Sequence, residues 1–294
     1  MTQNEPEAGQ TAPAPRSPLW PVAALTALAM LAFASNSLLA RMAMLTTSID
    51  AASFTAGRML TGAVVLAVIL GVRGDRPWVS GGGVLSALLL FAYAVTFSYG
   101  YRGIDTGAGA LVLFASVQLL MVGVGLASGE RTNLLGVALA LGGLVVFLAP
   151  SGSSPPLSAA LLMVAAGLAW GGFSLVGRGG GSPVLWTANS FILAAPLSLG
   201  LLWLQRHQLE FDSLGLLYAV LSGAVTSALG YVLWYWVRVR MAAITAGTVQ
   251  LSVPVLSALM GIVVLGESLS AKGALAACVV LLGVALTSWK TRKG

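Results

Sequence analysis

Long apolar runs alternate with short polar breaks along nearly the whole chain. A helix needs about twenty predominantly apolar residues to cross some 30 Å of hydrocarbon. Runs that meet or approach this length cover residues 19–40, 51–72, 84–101, 107–127 and 134–149. After the uncharged linker SGSSPP come 157–176, 184–204, 214–237, 242–265 and 271–289. Membrane β-strands would be half as long and would alternate strictly between polar and apolar residues, a pattern this chain lacks. The pattern predicts an all-α membrane protein of ten transmembrane helices, with residues 1–18 as a polar, Pro- and Ala-rich disordered tail and 290–294 as a basic tail.

Composition agrees with lipid as the main solvent. Of 294 residues, 57% are hydrophobic and 8% charged, where a soluble domain carries about a quarter charged residues. The net charge of +6 is dispersed among inter-helix loops with no basic patch and no interleaved aromatics, so nucleic acid is not an expected partner. With the N-terminus inside, Arg16, Arg73, Arg76, Arg131, Arg178, Arg238, Arg240, Lys290, Arg292 and Lys293 fall on the inner side. Arg41, Arg102, Arg206 and Lys272 fall on the outer side. The positive-inside rule then puts both termini in the cytoplasm of a bacterial inner-membrane protein. The apolar run after the tail starts too late and runs too long for a cleavable signal peptide.

The chain also repeats itself. A shift of 137 residues lays Ser37-Leu38 and Arg41 on Ser174-Leu175 and Arg178, Ser53-Phe54 on Ser190-Phe191, and Gly129-Glu130 on Gly266-Glu267. Identities sharing one offset mark a duplication. The halves are 19–149 and 157–289, joined by a linker at 150–156. Five spans per half is an odd number, so the second half enters the membrane upside down. Two inverted five-helix repeats around a central cavity form a recurring architecture of secondary transporters. One such chain supplies both halves, so a monomer suffices.

The segment TAGTVQLSVPVLSALMGIVVLGESLSAKGALAACVVLLGVAL combines a small-residue helix, a Val-Pro, a Leu-Gly-Glu turn and a Gly-rich last helix. The first half echoes it in TGAGALVLFASVQLLMVGVGLASGERTNLLGVALALGG, with Val117 opposite Pro254. Together with AGLAWGGFSLVGRG and SFTAGRML, these segments resemble the drug/metabolite transporter superfamily, specifically its EamA-type proteins, over residues 19–289. Ten-helix bacterial amino-acid exporters of the YddG type are a characterised comparison within it. The resemblance implies export of small metabolites by alternating access.

Few residues carry chemistry. One cysteine, Cys278, and one histidine, His207, leave no basis for a disulfide, a metal cluster or a cofactor, and no nucleophile–base pair for an enzyme. Intramembrane charge is costly and usually marks function or a pair. Arg58 lies about 10 Å inside the second span at 1.5 Å per residue. It either draws a substrate carboxylate, or snorkels outward or pairs with Asp50 or Asp105. No Asp or Glu lies deep in a span; Glu130 and Glu267 sit at helix ends and are expected to cap neighbouring helices. The absence of a deep carboxylate predicts uncoupled, facilitated transport.

Neutral polar and aromatic residues complete the expected substrate pathway: Asn36, Tyr93, Tyr99, Gln118, Trp170, Tyr231, Gln250 and Ser252, with Phe97 and Phe173 as further aromatics. Buried amides need partners, so the polar ones should face the bundle interior. Trp20, Trp78, Trp186, Trp203, Trp234, Trp236 and Trp289 lie near span ends and read as interfacial anchors. Pro196 and Pro254 are expected hinges, and Ser222, Thr226 and Gly230 read as a helix-packing face. The favoured substrate class is amphipathic metabolites, aromatic or apolar amino acids first. Drug or purine export driven by proton exchange is the alternative. A non-transporting assembly or receptor protein is the rival class.

Overall fold

The computed structural model describes residues 19–76, 83–129, 133–148, 155–176, 182–238, 240 and 249–288, and all regular structure among them is helical. Six helices are long and apolar enough to cross a membrane: α1 (Leu19–Thr46), α2 (Ala51–Arg73), α4 (Thr106–Ala127), α6 (Leu157–Val176), α7 (Pro183–Leu204) and α8 (Ser213–Arg238). Four shorter apolar helices accompany them: α3 (Val84–Gly100), α5 (Leu134–Leu148), α9 (Ser252–Leu265) and α10 (Ala271–Ser288).

The helix ends follow from local chemistry. Asp50 caps α2 by accepting from the amides of Ala52 and Ser53 at 2.8 and 3.0 Å, which satisfies orphan donors of the first turn. Asp212 does the same for α8 through Gly215 N at 2.6 Å, and Ser182 caps α7. These two aspartates also tie the loops of that face together: Asp212 accepts from Ser48 N at 2.7 Å and Asp50 from Glu210 N at 2.9 Å.

α1 runs to Thr46 rather than stopping at residue 40. Met42, Ala43, Met44 and Leu45 are adequate helix formers, and Thr46 Oγ1 returns its proton to the Met42 carbonyl at 2.8 Å. Arg41 therefore lies within a helix, not in a loop. α9 differs in the other direction. A turn at Leu251 precedes it, and Pro254 occupies its first helical turn, where a missing N–H costs little. Most of the chain N-terminal to that turn, 241–248, lies outside the described residues, as do Trp78, Glu130, Arg131, Arg178 and Trp289.

The helices pack in defined pairs: α5 on α10, α2 on α7 and α4 on α9; α3 on α6 and α1 on α8; α4 on α6 and α1 on α9; α3 on α7 and α2 on α8. Valines and leucines such as Val64, Val68, Leu141, Val145, Val263 and Leu275 point outward, the surface expected where the solvent is hydrocarbon. Polar groups collect inside instead. Arg58, Asn36, Ser86, Ser190, Ser222 and Ser227 are all buried.

α8 is not uniform. Ser222–Leu229 is wound as a π-helix within it, a local widening often found at functional sites. The segment lies tight on α2: a Cβ on Gly223 would collide with the Arg58 carbonyl and Thr61 Oγ1. Glycine here lets the two backbones meet where the intramembrane arginine leaves α2.

Candidate substrate site

The guanidinium of Arg58 is 1% exposed. It neither snorkels nor pairs with Asp50 or Asp105. Asp50 is engaged as the α2 cap, and Asp105 bonds Arg41. Among the described residues, no carboxylate comes within ion-pair distance of Arg58. Its Nη2 donates to Tyr93 Oη at 3.0 Å and its Nε to Ser227 Oγ at 3.2 Å. The cation also lies 4.9 Å from the Tyr93 ring centroid and 4.8 Å from that of Phe97, where the negative ring faces attract it. Its remaining nitrogen, Nη1, is buried without a hydrogen-bond partner.

Tyr93 links this cation to an amide. Asn36 Nδ2 donates to Tyr93 Oη at 3.3 Å, while Asn36 Oδ1 accepts from Ser222 Oγ at 2.7 Å and Thr226 Oγ1 at 3.1 Å. Ser222, Thr226 and Ser227 all lie on the π-helical segment. The row at four-residue spacing expected to be a packing face is thus polar at two of its three positions. Only Gly230 meets that expectation, close against Ala32 and Phe33.

Beside the network lies a cavity of about 20 Å³, lined by Phe33, Asn36, Ser37, Tyr93, Phe97, Leu113, Phe114, Trp170 and Tyr231. Trp170 anchors its aromatic wall, with ring centroids 5.1 Å from Tyr93, 4.9 Å from Tyr231 and 5.5 Å from Phe173. The Tyr231 hydroxyl, like Arg58 Nη1, is buried with no hydrogen-bond partner. An unsatisfied buried donor costs roughly 1–3 kcal/mol, so two near one small cavity call for an explanation.

Asn36, Arg58, Tyr93, Trp170 and Tyr231 are therefore brought together. Tyr99 sits apart among the loops, accepting from Gln205 Nε2 at 3.5 Å. Gln118 is buried on α4 one turn beyond Phe114 and does not line the cavity. Gln250 and Ser252 flank the turn at Leu251, with Ser252 Oγ bonded to the Val249 carbonyl at 2.7 Å. Pro196 is exposed on α7 and Pro254 is buried.

Two tryptophans expected at the interface belong to the interior. Trp186 is buried against Phe173 at 4.2 Å and Trp234 against Phe33 at 6.0 Å. Trp203 and Trp236 are exposed, with Arg206 and Arg240 over their rings. Phe33 and the hydroxyls of α8 are the site residues that sequence reasoning missed. Phe33 occupies the position 137 residues before Trp170, a signal the repeat offset already contained.

A second polar cluster lies among the loops of the same face as Asp50. Arg41 bonds Asp105 Oδ1 at 3.1 Å and Glu267 Oε1 at 3.4 Å, and donates to the Tyr101 carbonyl at 3.0 Å. Glu267 also accepts from Thr106 N and Oγ1 at 2.9 Å, capping α4 from the far end of α9. Gly266 makes this possible. Its φ of +65°, cheap only for glycine, curls Glu267 back over Gly261, where a Cβ would strike the carboxylate. A recess of about 270 Å³ opens here beside Asp105, Glu267, Ser268, Ser270 and Lys272. It is the larger hollow, but Asp105 and Glu267 on its wall are already paired.

Residues 157–289 match the EamA-like transporter family. An uncharacterized protein of Pseudomonas aeruginosa, PA1977, is 50% identical over 265 residues, spanning 89% of this chain and 92% of its own length. Among solved structures, one crystal structure of a protein superposes with a TM-score of 0.62 at 21% identity, covering 88% of this chain and 97% of that one. At that identity the likeness speaks for the fold alone.

Proposed function

We propose, from the match of residues 157–289 to the EamA-like transporter family, that this chain is a membrane transporter that exports small amphipathic metabolites through the cavity walled by Tyr93, Trp170 and Tyr231. Amino acids with aromatic or apolar side chains, as in the YddG-type exporters, are the class argued from sequence. The observation that carries the reading is a buried arginine with no carboxylate partner, Arg58, held directly behind Tyr93 and Phe97 of the aromatic cavity wall. Such groups are costly in an apolar bundle and are retained where a ligand completes them.

Alternating access between two inverted five-helix repeats, 19–149 and 157–289, is the proposed mechanism. The helix pairing supports it. Advancing every helix number by five, cyclically, turns α3–α6 into α8–α1, α4–α6 into α9–α1 and α3–α7 into α8–α2. It returns α5–α10, α2–α7 and α4–α9 to themselves. Gly129 and Gly266, matched by the repeat, both take positive φ, +80° and +65°. In this reading the chain works as a monomer in the bacterial inner membrane with both termini cytoplasmic. The Arg41–Glu267 cluster closes the outer end.

Transport is proposed to be uncoupled, because among the described residues no carboxylate approaches the cavity to exchange a proton against substrate. The test is flux into proteoliposomes with a labelled panel of amino acids, purines and cationic drugs, with and without a pH gradient. Saturable movement of aromatic or apolar compounds that ignores the gradient is expected. Accumulation driven by an imposed pH gradient would exclude the uncoupled mechanism and favour proton-driven drug or purine export. A folded protein that moves nothing would return the chain to an assembly or receptor role.

A further inference from the structure

We propose that the cavity selects a small aromatic or apolar monocarboxylate without an ammonium group, in preference to the zwitterionic amino acid of the same shape. This rests on the reading of the cavity as the transport site and narrows its substrate.

Charge is the first argument. Arg58 is the one buried cation among the described residues at this level, and its partners are a phenol, a serine hydroxyl and two ring faces. All of these are neutral, so the empty site keeps a net charge of one. A monoanion cancels it. A zwitterion leaves it unchanged, because its carboxylate is matched by its own cation, which comes to lie beside the guanidinium with no carboxylate of the protein to compensate. A phosphate dianion would exceed what one arginine neutralises.

Hydrogen-bonding capacity gives the second, independent argument. The Asn36 carbonyl oxygen accepts the Ser222 hydroxyl proton and shares that of Thr226 with the Ser222 carbonyl. Tyr93 Oη already accepts from Arg58 and Asn36, leaving only its own proton to give. Arg58 Nη1 and Tyr231 Oη make no well-formed hydrogen bond, though the two side chains lie close enough to interact with each other. The groups left over are the Arg58 donor and the hydroxyls of Tyr231 and Ser37, which can donate or accept. A carboxylate only accepts and an ammonium only donates, so the first meets the Arg58 cation and both hydroxyl protons, while the second finds only the neutral oxygens of Tyr231 and Ser37 beside a like charge.

The ring faces do not rescue an ammonium. Arg58 itself covers Tyr93 and Phe97, and Trp170 is stacked on Phe173 with an interplanar angle of 28°. Phe33, Trp170 and Leu113 instead offer an apolar wall to the body of the substrate. At about 20 Å³ the cavity admits such a molecule only as the helices part, which couples binding to opening.

Three probes share one ring and chain length: 3-phenylpropionate carries the carboxylate alone, phenylalanine both charges, and phenethylamine the ammonium alone. Isothermal titration of the purified full-length protein is paired with uptake into proteoliposomes, corrected for protein-free vesicles. Phenylpropionate should bind about 10-fold more tightly than phenylalanine, the scale of one uncompensated buried donor, and phenethylamine should not compete. Arg58→Gln should abolish phenylpropionate binding. Tyr231→Phe, which leaves the helix contacts in place, should weaken both carboxylates several-fold while phenylpropionate stays the tighter ligand. Phenylalanine binding equally or more tightly would overturn the inference while leaving the transport reading intact. Tightest binding of phenethylamine would make the pocket a cation site and overturn it as well. If a protein with a sharp melting transition neither binds nor moves any of the three, the cavity reading falls with it.

Discussion

Two arginines enter the bundle, and the protein treats them in opposite ways. Arg41 meets Asp105, Glu267 and a backbone carbonyl, so its charge is more than cancelled and its donors are shared out among three chain segments. Arg58, deeper and fully buried, meets only neutral hydroxyls and rings, and one nitrogen meets nothing. A satisfied ion cluster fixes helices; a cation without a counter-ion is, in the proposed reading, completed by substrate. The two sites share a chemistry and differ in whether the chain itself completes it.

The sharpest break of this contrast is Arg58→Met. Transport should fall about 100-fold or more, the scale of truncating one buried partner of a charge pair. The melting temperature should hold or rise, since an apolar side chain of similar volume often stabilises where a buried ion stood. A large loss of melting temperature with residual transport would reverse the assignment. Arg41→Met should do the opposite: stability falls by about 3–5 kcal/mol, because Glu267 and Asp105 lose their counter-ion in a partly buried place. Denaturant or thermal unfolding in detergent reads this directly.

A smaller effect is expected at Tyr231. Tyr231→Phe removes a buried hydroxyl that has no partner, so stability should rise by about 1 kcal/mol while substrate affinity drops several-fold. Unchanged affinity would remove Tyr231 from the site. The smallest effect belongs to Asp212, whose pKa is lowered by amide bonds from Gly215 and Ser48 and by the Ser48 hydroxyl. A depressed carboxylate stabilises the fold above its unfolded pKa, and that contribution disappears as pH falls through the lower folded value. Asp212→Asn should therefore lose a little stability near neutrality and converge with the wild type in strong acid, as seen in melting temperatures against pH.

Much of this was written in the chain. Helices α2 to α8 start and stop near the edges of their apolar runs, because hydrocarbon leaves backbone amides no partner outside a helix. Arg58, Asn36, Tyr93, Trp170 and Tyr231 were readable as polar or aromatic residues too expensive to leave facing lipid. Their mutual contacts were not. Tyr93 is 35 residues and Ser227 169 residues from Arg58, and nothing local links them. The π-helical turn was also invisible, because SGAVTSAL contains no proline and its extra width is dictated by packing on α2. Trp186 and Trp234 misled for a related reason: position in a run gives depth but not which side of the helix faces the core.

In the proposed cycle the lone charge on Arg58 would also make the protein an electrical device. In the proposed cycle a carrier holding a monoanion is neutral, whereas the returning empty carrier holds one positive charge at mid-membrane. When one gate closes and the other opens, the voltage drop moves from one side of that charge to the other. Carrying a unit charge through the full potential is worth about 2.3 kcal/mol per 100 mV. An interior-negative cell would draw the empty site toward the cytoplasm, where substrate is collected, and leave the loaded step indifferent to voltage. In that cycle each turnover carries the substrate's negative charge outward, so the membrane potential itself would favour export, with no coupling ion at all.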